Sequence, residues 1–531
     1  MTTPFTPSLP RRKLPIGIQT FREIREDDCY YVDKSGMAVD LVLAGKYYFL
    51  SRPRRFGKSL FLDTLKELFE GNRVLFVGLA AEARWDWGKR HPVIRVSFSD
   101  GVLQNRAELD QRMRDILRVN CERLAITMPR GLVEADLAGS FAELIRQAHQ
   151  VTGQRAVVLI DEYDKPILDN ITNSSVALEM REGLKNLYSV LKGADENLRF
   201  VFLTGVSKFS KVSLFSGLNN LKDITLDARY SALCGYTDAD VETVFAPELP
   251  GLDRDLVREW YNGYNWLGES VYNPFDLLLL FDRREFLPYW FETGTPTFLI
   301  KLLMARQQFT PDLANVVASE TLLSTFDVDN IPVEALMFQA GYLTIASAWR
   351  IPGRLELTLK YPNREVQASL NDSLLQSLTG GLAIPGRQIS RLYKLLQAVD
   401  IPALKDLFHA FYATIPHDWY RKNELANFEG YYVSIFYSYF ASLGLDIRLE
   451  DTSNHGRIDM TVLFAGQVFL FEFKVVELTP AGAALEQTKL KGYAEKYRAR
   501  GEPIHLIGVE FSKASRNIVA FEVERDEGRF N

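Results

Sequence analysis

Residues 47–59 have the sequence YYFLSRPRRFGKS, and this segment predicts the architecture of the N-terminal half of the chain. Its apolar beginning is typical of a buried strand, and the pattern that starts at Leu60 is that of an amphipathic helix. Gly-Lys-Ser therefore opens a helix, whose free N–H groups and dipole attract phosphate. We expect Lys58 to reach the β- and γ-phosphates of a nucleotide and Ser59 to ligate Mg²⁺.

The loop departs from the phosphate-loop pattern G-x-x-x-x-G-K-[ST], because Arg52 occupies the position of the first glycine. A proline and additional arginines make this loop stiffer and more basic. We expect Arg54, Arg55 and Gly57 to contribute to nucleotide binding. The departure leaves open whether the backbone forms the usual cradle around the phosphates.

A second motif lies further along the chain, where the apolar run Val157–Ile160 ends in Asp161-Glu162. An aspartate at the C-terminal end of a central strand can hold Mg²⁺ opposite a phosphate-loop serine, and Glu162 can polarise an attacking water. Thr204 follows another apolar run, and open α/β sheets bind ligands at such strand ends. Each motif alone is compatible with a helix cap or a solvated strand end, but both in this order favour nucleotide binding.

Short apolar runs alternate with amphipathic helical patterns through this part of the chain. The runs predicted as strands are Tyr47–Leu50, Val93–Phe98, Val157–Ile160 and Phe200–Leu203. Strands that alternate with helices predict a mostly parallel sheet covered on both faces, that is, an α/β fold.

The pattern then changes to short helices, predicted at Thr237–Phe245 and Leu252–Tyr261. Two strands predicted at Gly341–Ile345 and Leu355–Leu359 flank a Pro-Gly turn. Helices that end in a small hairpin favour a winged-helix-like module. Gln388–Ala413 is predicted as one helix.

These changes of pattern divide the chain into six predicted segments. They are an N-terminal lead-in (1–29), a phosphate-loop α/β domain (30–235), a helical lid (236–288), a winged-helix-like module (289–365), a helical connector (366–422) and a C-terminal α/β domain (423–531).

The C-terminal segment contains a hairpin whose strands are predicted at Gly456–Phe464 and Gln467–Val475. A two-residue turn places Phe464 opposite Gln467, and counting outward then places Asp459 opposite Glu472 on one face. Lys474 lies two residues further and shares that face. The alternate residues, Ile458, Met460, Phe471 and Phe473, are expected to point into the core. Ala-Gly fits the favoured two-residue turns poorly, and a bulge would shift this register by one residue.

Two carboxylates and a lysine on one face suggest metal-dependent hydrolysis. Asp459 and Glu472 can share one Mg²⁺ or Mn²⁺ ion, since oxygen ligands suit these hard cations. Lys474 can orient or deprotonate a water and stabilise developing negative charge. The competing interpretation is an ion cluster on a surface strand at a sheet edge.

Two flanking helices add candidates. The helix predicted at Glu424–Tyr439 carries Glu429, whose carboxylate can face the metal. Thr479-Pro480 is typical of a helix start. In that second helix Gln487 and Lys491 are four residues apart, and we expect this face to contact DNA phosphate. Its tyrosines, Tyr493 and Tyr497, are predicted to lie on another part of the surface.

Bulk properties exclude several classes of protein. The chain has 531 residues, and its net charge of −6 gives no general support for nucleic-acid binding, so any such site must be a local patch. Its three cysteines form no C-x-x-C pair, which argues against a disulfide framework or a thiolate zinc site and fits the cytoplasm. No apolar run is long enough for a membrane span, and Met1–Lys13 lacks the apolar core of a signal peptide.

The motifs resemble two known families. Residues 14–17 (LPIG), 31–34 (YVDK), 52–59 (RPRRFGKS) and 203–210 (LTGVSKFS) are similar to the bacterial AAA-ATPase-like family, in which arginine replaces the first glycine of the phosphate loop. Residues 456–459 (GRID) and 472–474 (EFK) resemble the PD-(D/E)XK nuclease superfamily domain that usually follows it. The resemblance implies an AAA-type α/β domain, a helical or winged-helix middle and a restriction-endonuclease-like C-terminal domain.

The resemblance also implies roles for individual residues. Lys58 and Ser59 bind phosphate and Mg²⁺, and Asp161 with Glu162 forms the second acidic motif. In the nuclease core of Asp459, Glu472 and Lys474, Glu429 is the helical acid and Gln487 an auxiliary residue. The first domain is also similar to signal-transduction NTPases, which hydrolyse ATP slowly and act as switches.

The leading hypothesis is an ATP-regulated, Mg²⁺-dependent DNA endonuclease with slow ATPase activity. RNA is the alternative substrate, and nucleotide-dependent self-association is a further expectation. One rival is a non-catalytic nucleotide switch that binds nucleic acid or a partner protein. The other is an ATP-driven remodeller, which needs a hexamer and an arginine finger that the sequence does not identify.

Overall fold

A computed structural model describes residues 11–128, 136–208, 220–291, 299–300, 302–303, 312–313, 315–323, 332–378, 386–414, 429–453, 456–477 and 482–526. The chain divides into two compact units. The N-terminal unit comprises Met1–Thr295 and Val316–Asn363, and the C-terminal unit comprises Pro296–Asn315 and Arg364–Asn531. The first ten residues of the predicted lead-in (1–29) lie outside the described residues.

The N-terminal unit is built on a parallel five-stranded sheet with the order β2-β3-β4-β1-β5. Its strands are β1 (Tyr47–Ser51), β2 (Val93–Ser97), β3 (Ala156–Asp161), β4 (Leu198–Gly205) and β5 (Lys222–Asp223). The four predicted strands are confirmed. Every residue of β1 and β3 is buried, as expected for strands covered on both faces.

Helices flank this sheet, and polar side chains fix the start of several of them. They are α1 (Phe21–Glu26), α2 (Ser35–Ala44), α3 (Lys58–Phe69), α4 (Arg106–Arg123), α5 (Leu137–Thr152), α6 (Lys165–Leu168), α7 (Ser174–Gly193), α8 (Asp238–Val244), α9 (Arg254–Tyr261) and α10 (Pro274–Arg283). Asn105, Asp136 and Asn173 each accept a backbone hydrogen bond at the N-cap. The predicted lead-in contains α1, whose first residue, Phe21, donates its N–H to the buried Asp63.

A small antiparallel sheet completes the N-terminal unit. Its strands are β6 (Val316–Ser319), β7 (Thr344–Ile351) and β8 (Arg354–Lys360), in the order β6-β8-β7, with helices α11 (Glu320–Leu323) and α12 (Val333–Ala340). The strand predicted at Gly341–Ile345 was placed too early, because Gly341 ends α12 with φ 94°. The strand β6 was not predicted from the sequence.

The C-terminal unit begins with helices α13 (Arg364–Leu378), α14 (Gly386–Ala398), α15 (Ile401–Thr414) and α16 (Glu429–Ala441). The single helix predicted at Gln388–Ala413 is wrong, because Val399 adopts φ 54° and separates α14 from α15. None of the described helices in either unit is both long and apolar enough to cross a bilayer.

The sheet of the C-terminal unit has the order β13-β12-β11-β10-β9. Its strands are β9 (Asp446–Ser453), β10 (Gly456–Phe464), β11 (Gln467–Val475), β12 (Ile504–Ser512) and β13 (Asn517–Asp526). Only β11 and β12 pair in parallel, and between them the chain forms helices α17 (Ala483–Leu490) and α18 (Glu495–Arg498). The predicted helix start at Thr479-Pro480 lies outside the described residues.

Candidate functional site

The phosphate loop connects β1 to α3 and is held in an unusual backbone conformation. Gly57 is the N-cap of α3 with φ 87°, and Arg55 has φ 68°. A Cβ atom added to Gly57 would meet no atom within 4 Å, so the backbone angle alone favours glycine at this position.

Arg52 anchors this loop from the protein interior. Its guanidinium is fully buried and donates hydrogen bonds to the carbonyl oxygens of Ser51 (2.8 Å), Thr225 (3.0 Å) and Tyr230 (3.2 Å). It also lies 4.0 Å from the centre of the Trp266 ring. Burial lowers the pKa of Arg52 to about 10, which still leaves it charged at neutral pH. The arginine at the position of the first glycine is thus a structural support.

Lys58 is buried and folds back onto its own loop. Its Nζ donates to the carbonyl oxygens of Arg52 (2.9 Å) and Pro53 (2.8 Å). Burial lowers the pKa of Lys58, although the nearby Asp161 opposes that effect. A bound polyphosphate would offer this ammonium a better partner than two neutral carbonyl groups.

Asp161, at the end of β3, connects three elements of the site. Its Oδ2 accepts a hydrogen bond from Oγ of Ser59 (2.6 Å), and its Oδ1 accepts from Oγ1 of Thr204 (2.8 Å) and from N of Glu162 (3.1 Å). A hydroxyl beside a carboxylate is a donor set that suits Mg²⁺. Thr204 was predicted to bind the cofactor, but it is fully buried and its hydroxyl orients Asp161.

Glu162 follows with φ 51°, a conformation uncommon for residues other than glycine. Burial, and then the charge of Asp161, raise the pKa of its carboxyl. An acid with a raised pKa beside the phosphate loop can accept a proton from water.

A cavity of about 540 Å³ opens over the loop. Its basic wall consists of Arg54, Arg55, Gly57, Lys58 and Ser59, with Glu162 beside them. Gly17, Tyr31, Tyr236 and Phe275 contribute to the remaining lining, and the guanidinium of Arg55 lies 4.7 Å from the centre of the Phe275 ring. The cavity is within the size range of small-ligand pockets.

A buried network connects this site to helix α12 of the same unit. Asp164 is 1% exposed and accepts hydrogen bonds from N (2.6 Å) and Oγ (2.5 Å) of Ser207. The next residue, Lys208, donates its N–H to Oε1 of Gln339 on α12 (2.9 Å). Asp164 was not among the predicted site residues, although it lies two residues after the second acidic motif.

The second candidate site lies on the β10–β11 hairpin, whose predicted register is confirmed. Phe464 pairs with Gln467, and the ladder continues to the pair Met460–Phe471. Ala465 and Gly466 have φ 50° and 71°, so both turn residues adopt the left-handed conformation that favoured two-residue hairpins need.

The ladder ends one pair before the two carboxylates. Asp459 accepts a hydrogen bond through Oδ2 from N of Phe473 (2.8 Å), and so takes a backbone donor of β11 with its side chain. Ile458 is buried, as predicted, but in a different cluster: it packs with Tyr493 and Tyr497, whereas Met460 packs with Phe473. The ladder with β11 ends at Met460, whereas the ladder with β9 continues through Ile458.

Glu472 is 1% exposed and forms the centre of this site. Its Oε1 accepts hydrogen bonds from Nζ of Lys474 (2.8 Å) and from Nε2 of Gln487, but its Oε2 has no hydrogen-bond partner among the residues that the structure describes. Burial, and then the charge of Asp459, raise the pKa of Glu472 to about 7. A buried carboxylate oxygen without a partner fits a divalent cation, which would supply the missing charge.

The helix α17 supplies the contacts on the other side of Glu472. Gln487 bonds to this carboxylate, whereas Lys491 is exposed at the C-cap of the helix. Tyr493 was predicted to lie elsewhere on the surface, which is wrong, because it is buried and hydrogen-bonded to Gln487. The helix ends before Tyr493, so helical periodicity did not apply to it.

Glu510 on β12 is a further buried acid that the sequence analysis missed. It pairs with Lys474 in the parallel ladder, is 2% exposed, and accepts a hydrogen bond through Oε1 from N of Ala484 in α17 (3.3 Å). Its Oε2 forms no hydrogen bond within the described part of the chain. A Cβ atom on Gly508 would lie 2.5 Å from N of Leu485, so glycine lets α17 pack closely on the sheet. An acid inside an otherwise apolar strand was the available signal.

Glu429 is the first residue of α16, and its side chain lies outside the described part of the structure. Within the described residues, no group of three or more His, Cys, Asp or Glu side chains is arranged to hold a metal ion. Of the three acids predicted for this site, Asp459 and Glu472 are the two whose side chains the structure describes.

Comparisons with known proteins agree with this division. The family described as a predicted AAA-ATPase matches residues 15–215, and the PD-(D/E)XK nuclease superfamily matches residues 427–521. The "Uncharacterized protein in vnfD 5'region" of Azotobacter chroococcum mcd 1 is 63% identical over 515 residues, which are 97% of this chain and 99% of that protein. No solved structure matches. The chain therefore belongs to the same family as that protein, with an AAA-ATPase-like domain at its N-terminus and a PD-(D/E)XK nuclease superfamily domain at its C-terminus.

Proposed function

We propose that the protein is an ATP-regulated, divalent-metal-dependent DNA endonuclease, in which the nucleotide state of the N-terminal domain controls phosphodiester hydrolysis by the C-terminal domain. The observation that carries this proposal is the convergence of Asp459, Lys474 and Gln487 on Glu472, which keeps one buried oxygen without a partner. A purely structural ion cluster would satisfy that oxygen.

The residues of the hairpin have separate tasks in this proposal. Asp459 and Glu472 would hold Mg²⁺ or Mn²⁺, which supplies Lewis acidity and an activated water when bound. Lys474 neutralises part of the charge on Glu472 and presents an ammonium group to a phosphate that reaches the site. Gln487 fixes the orientation of the Glu472 carboxylate through its amide.

The nucleotide site supports the regulatory part. Lys58 bonds to the loop carbonyls, and Ser59 bonds to Asp161, so the loop satisfies its own groups without phosphate. Binding of ATP and Mg²⁺ would exchange both sets of bonds, and the exchange would reach β4 through Thr204. Ser207 and Lys208 extend this connection to Gln339. Slow hydrolysis with Glu162 as the base would reset the switch.

A plasmid-nicking assay tests the catalytic part. Supercoiled DNA is incubated with the full chain, ATP and Mg²⁺ or Mn²⁺, and the wild type is compared with Lys474→Ala. Loss of the lysine should lower the nicking rate by about 10²–10³-fold, the usual cost of removing one charge-stabilising donor. Lys513→Ala, at a half-buried lysine directly after β12, serves as the matched control. Equal nicking by wild type and Lys474→Ala would overturn the proposal.

The second candidate is a non-catalytic nucleotide switch that binds nucleic acid or a protein partner. It is favoured by one observation: among the described residues no cluster of three metal-binding side chains is present. This candidate predicts ATP-dependent retention of DNA with no cleavage in either metal. The same reactions, analysed by a gel-shift assay, distinguish the two.

A further inference from the structure

The β7–β8 hairpin of the N-terminal unit is a ribbon that leaves an aromatic side chain in solvent. Six consecutive residues, from Ala346 to Ile351, are exposed. Trp349 is 71% exposed and Ile351 is 39% exposed. Burying a tryptophan is strongly favourable, so this degree of exposure suggests a binding surface.

The register of the ribbon places a cation beside this tryptophan. Trp349 pairs with Glu356, and Ile351 pairs with Arg354, so all four share one face. Arg354 is then the diagonal neighbour of Trp349, within reach of a long side chain. Arg350 lies on the opposite face, where it pairs with Leu355.

The ribbon is basic, although the chain as a whole is acidic. Residues 344–360 contain three basic side chains and one acidic side chain, in a protein of net charge −6. Arg350 and Arg354 are exposed, and neither forms an ion pair within the described part of the chain. The guanidinium of Arg354 beside an exposed indole suits a ligand that has both flat aromatic groups and negative charge. Arg350, on the opposite face, lines a cavity with Asp223, Asp227 and Glu320 instead.

We propose that the ribbon, residues 344–360, binds single-stranded nucleic acid. A base stacks on the Trp349 ring, while Arg354 on the same face contacts a flanking phosphate. Duplexes fit this chemistry less well, because their bases are already stacked and present only their edges. The inference deepens the proposed function, on which it rests, by naming a strand with unpaired bases as the form of substrate that the N-terminal unit holds.

Binding is measured by fluorescence anisotropy of a labelled 20-nucleotide oligo(dT) and of a duplex of equal length. The full chain is used in EDTA, so the result is independent of cleavage. Wild type should bind the single strand more tightly than the duplex. Trp349→Leu should weaken single-strand binding about tenfold, because leucine keeps the apolar surface but removes the stacking ring. Trp349→Phe should stay within about threefold of wild type, since it keeps the ring.

The charges are tested separately through salt. The variant Arg354→Gln should lower the slope of log K against log salt by about 0.7, the contribution of one phosphate contact to a single strand. Val151→Ala, an exposed apolar residue at the end of α5, is the matched surface control. Circular dichroism of each variant verifies that the protein is folded.

The outcomes are distinct. Wild-type affinity and wild-type salt slope in the ribbon variants would overturn the proposal. An unchanged single-strand affinity in Trp349→Leu would also overturn the proposal, because the indole ring would then not be stacking on a base. If the ribbon binds the single strand but no nicking is seen in Mg²⁺ or Mn²⁺, the proposed nuclease function fails while the ribbon proposal stands.

Discussion

Oγ of Ser59 lies 2.6 Å from Oδ2 of Asp161, although the two residues are 102 positions apart in the chain. The sheet order brings them together, because β4 is the one strand between β1 and β3. Thr204 at the end of β4 holds the other oxygen of Asp161. The phosphate loop and the second acidic motif are therefore parts of one site.

Asp161→Asn should remove the Mg²⁺-dependent part of nucleotide affinity. Asparagine can still accept hydrogen bonds but has no charge to attract the cation. We expect ATP affinity in Mg²⁺ to fall at least tenfold, with little change in EDTA. Titration with a fluorescent ATP analogue measures both. Asp255→Asn, whose side chain is 94% exposed on α9, is the control. An equal loss with and without Mg²⁺ would contradict the assigned role.

Arg52→Gly restores the residue that phosphate loops ordinarily have, and yet it should destabilise the protein. Glycine leaves the carbonyl groups of Ser51, Thr225 and Tyr230 without their buried donor. The expected loss in free energy of unfolding is about 3 kcal/mol. Urea unfolding followed by tryptophan fluorescence measures it. Arg54→Gly, at an exposed position of the same loop, should cost at most about 1 kcal/mol. Equal costs for the two changes would refute the anchoring role.

The stability of the metal-free C-terminal unit should fall as pH rises through 7. The pKa of Glu472 is raised in the folded state from 4.5 to about 7. A raised pKa means that the folded form binds the proton more tightly, so the stabilisation is complete below pH 4.5 and is lost as pH rises through 7. The loss is on the order of 3 kcal/mol for this buried group.

Thermal unfolding in EDTA between pH 5 and pH 8.5 tests this prediction. Glu472→Gln cannot ionise, so its unfolding temperature should depend less on pH than that of the wild type. Mg²⁺ should stabilise the wild type at pH 8 but not Glu472→Gln, since only the ionised carboxylate attracts the cation. Parallel pH profiles for the two proteins would contradict the raised pKa.

Glu510 should act on cleavage through the position of α17. Its carboxylate binds N of Ala484, and the same helix carries Gln487 to Glu472. Glu510→Ala should lower the nicking rate about 10–100-fold, as for other residues that orient catalytic groups. Glu510→Gln keeps an acceptor for the backbone and should retain most activity. Circular dichroism separates this effect from unfolding, and full activity in Glu510→Ala would exclude the role.

The sequence predicts the strands of the main sheet and the hairpin register because both depend on local patterns. Each main strand except β5 contains a mostly apolar run, which Arg95 interrupts in β2, whereas β5 has only two residues, Lys222 and Asp223, and shows no pattern. The pairing of Phe464 with Gln467 follows from a two-residue turn. The break at Val399 could not be foreseen, since a β-branched residue rarely adopts a positive φ.

The remaining features of the site depend on tertiary packing. Thr204 was predicted at a strand end and Tyr493 near a helix. Only the packed structure shows that Thr204 donates a hydrogen bond to Asp161 and that Tyr493 is hydrogen-bonded to Gln487. Periodicity gives the direction of a side chain within a regular element. It gives nothing once the element has ended, as α17 has before Tyr493.

The buried guanidinium of Arg52 has an electrostatic consequence for the phosphate loop. No carboxylate lies within ion-pair distance of it in the described residues, and its pKa of about 10 keeps it cationic in the cell's pH range. A fixed, unscreened charge in a region of low polarity produces a lasting positive potential above the loop. Polyphosphates are therefore attracted before Lys58 leaves its carbonyl partners. Free phosphate or pyrophosphate should compete with ATP for the same positively charged site.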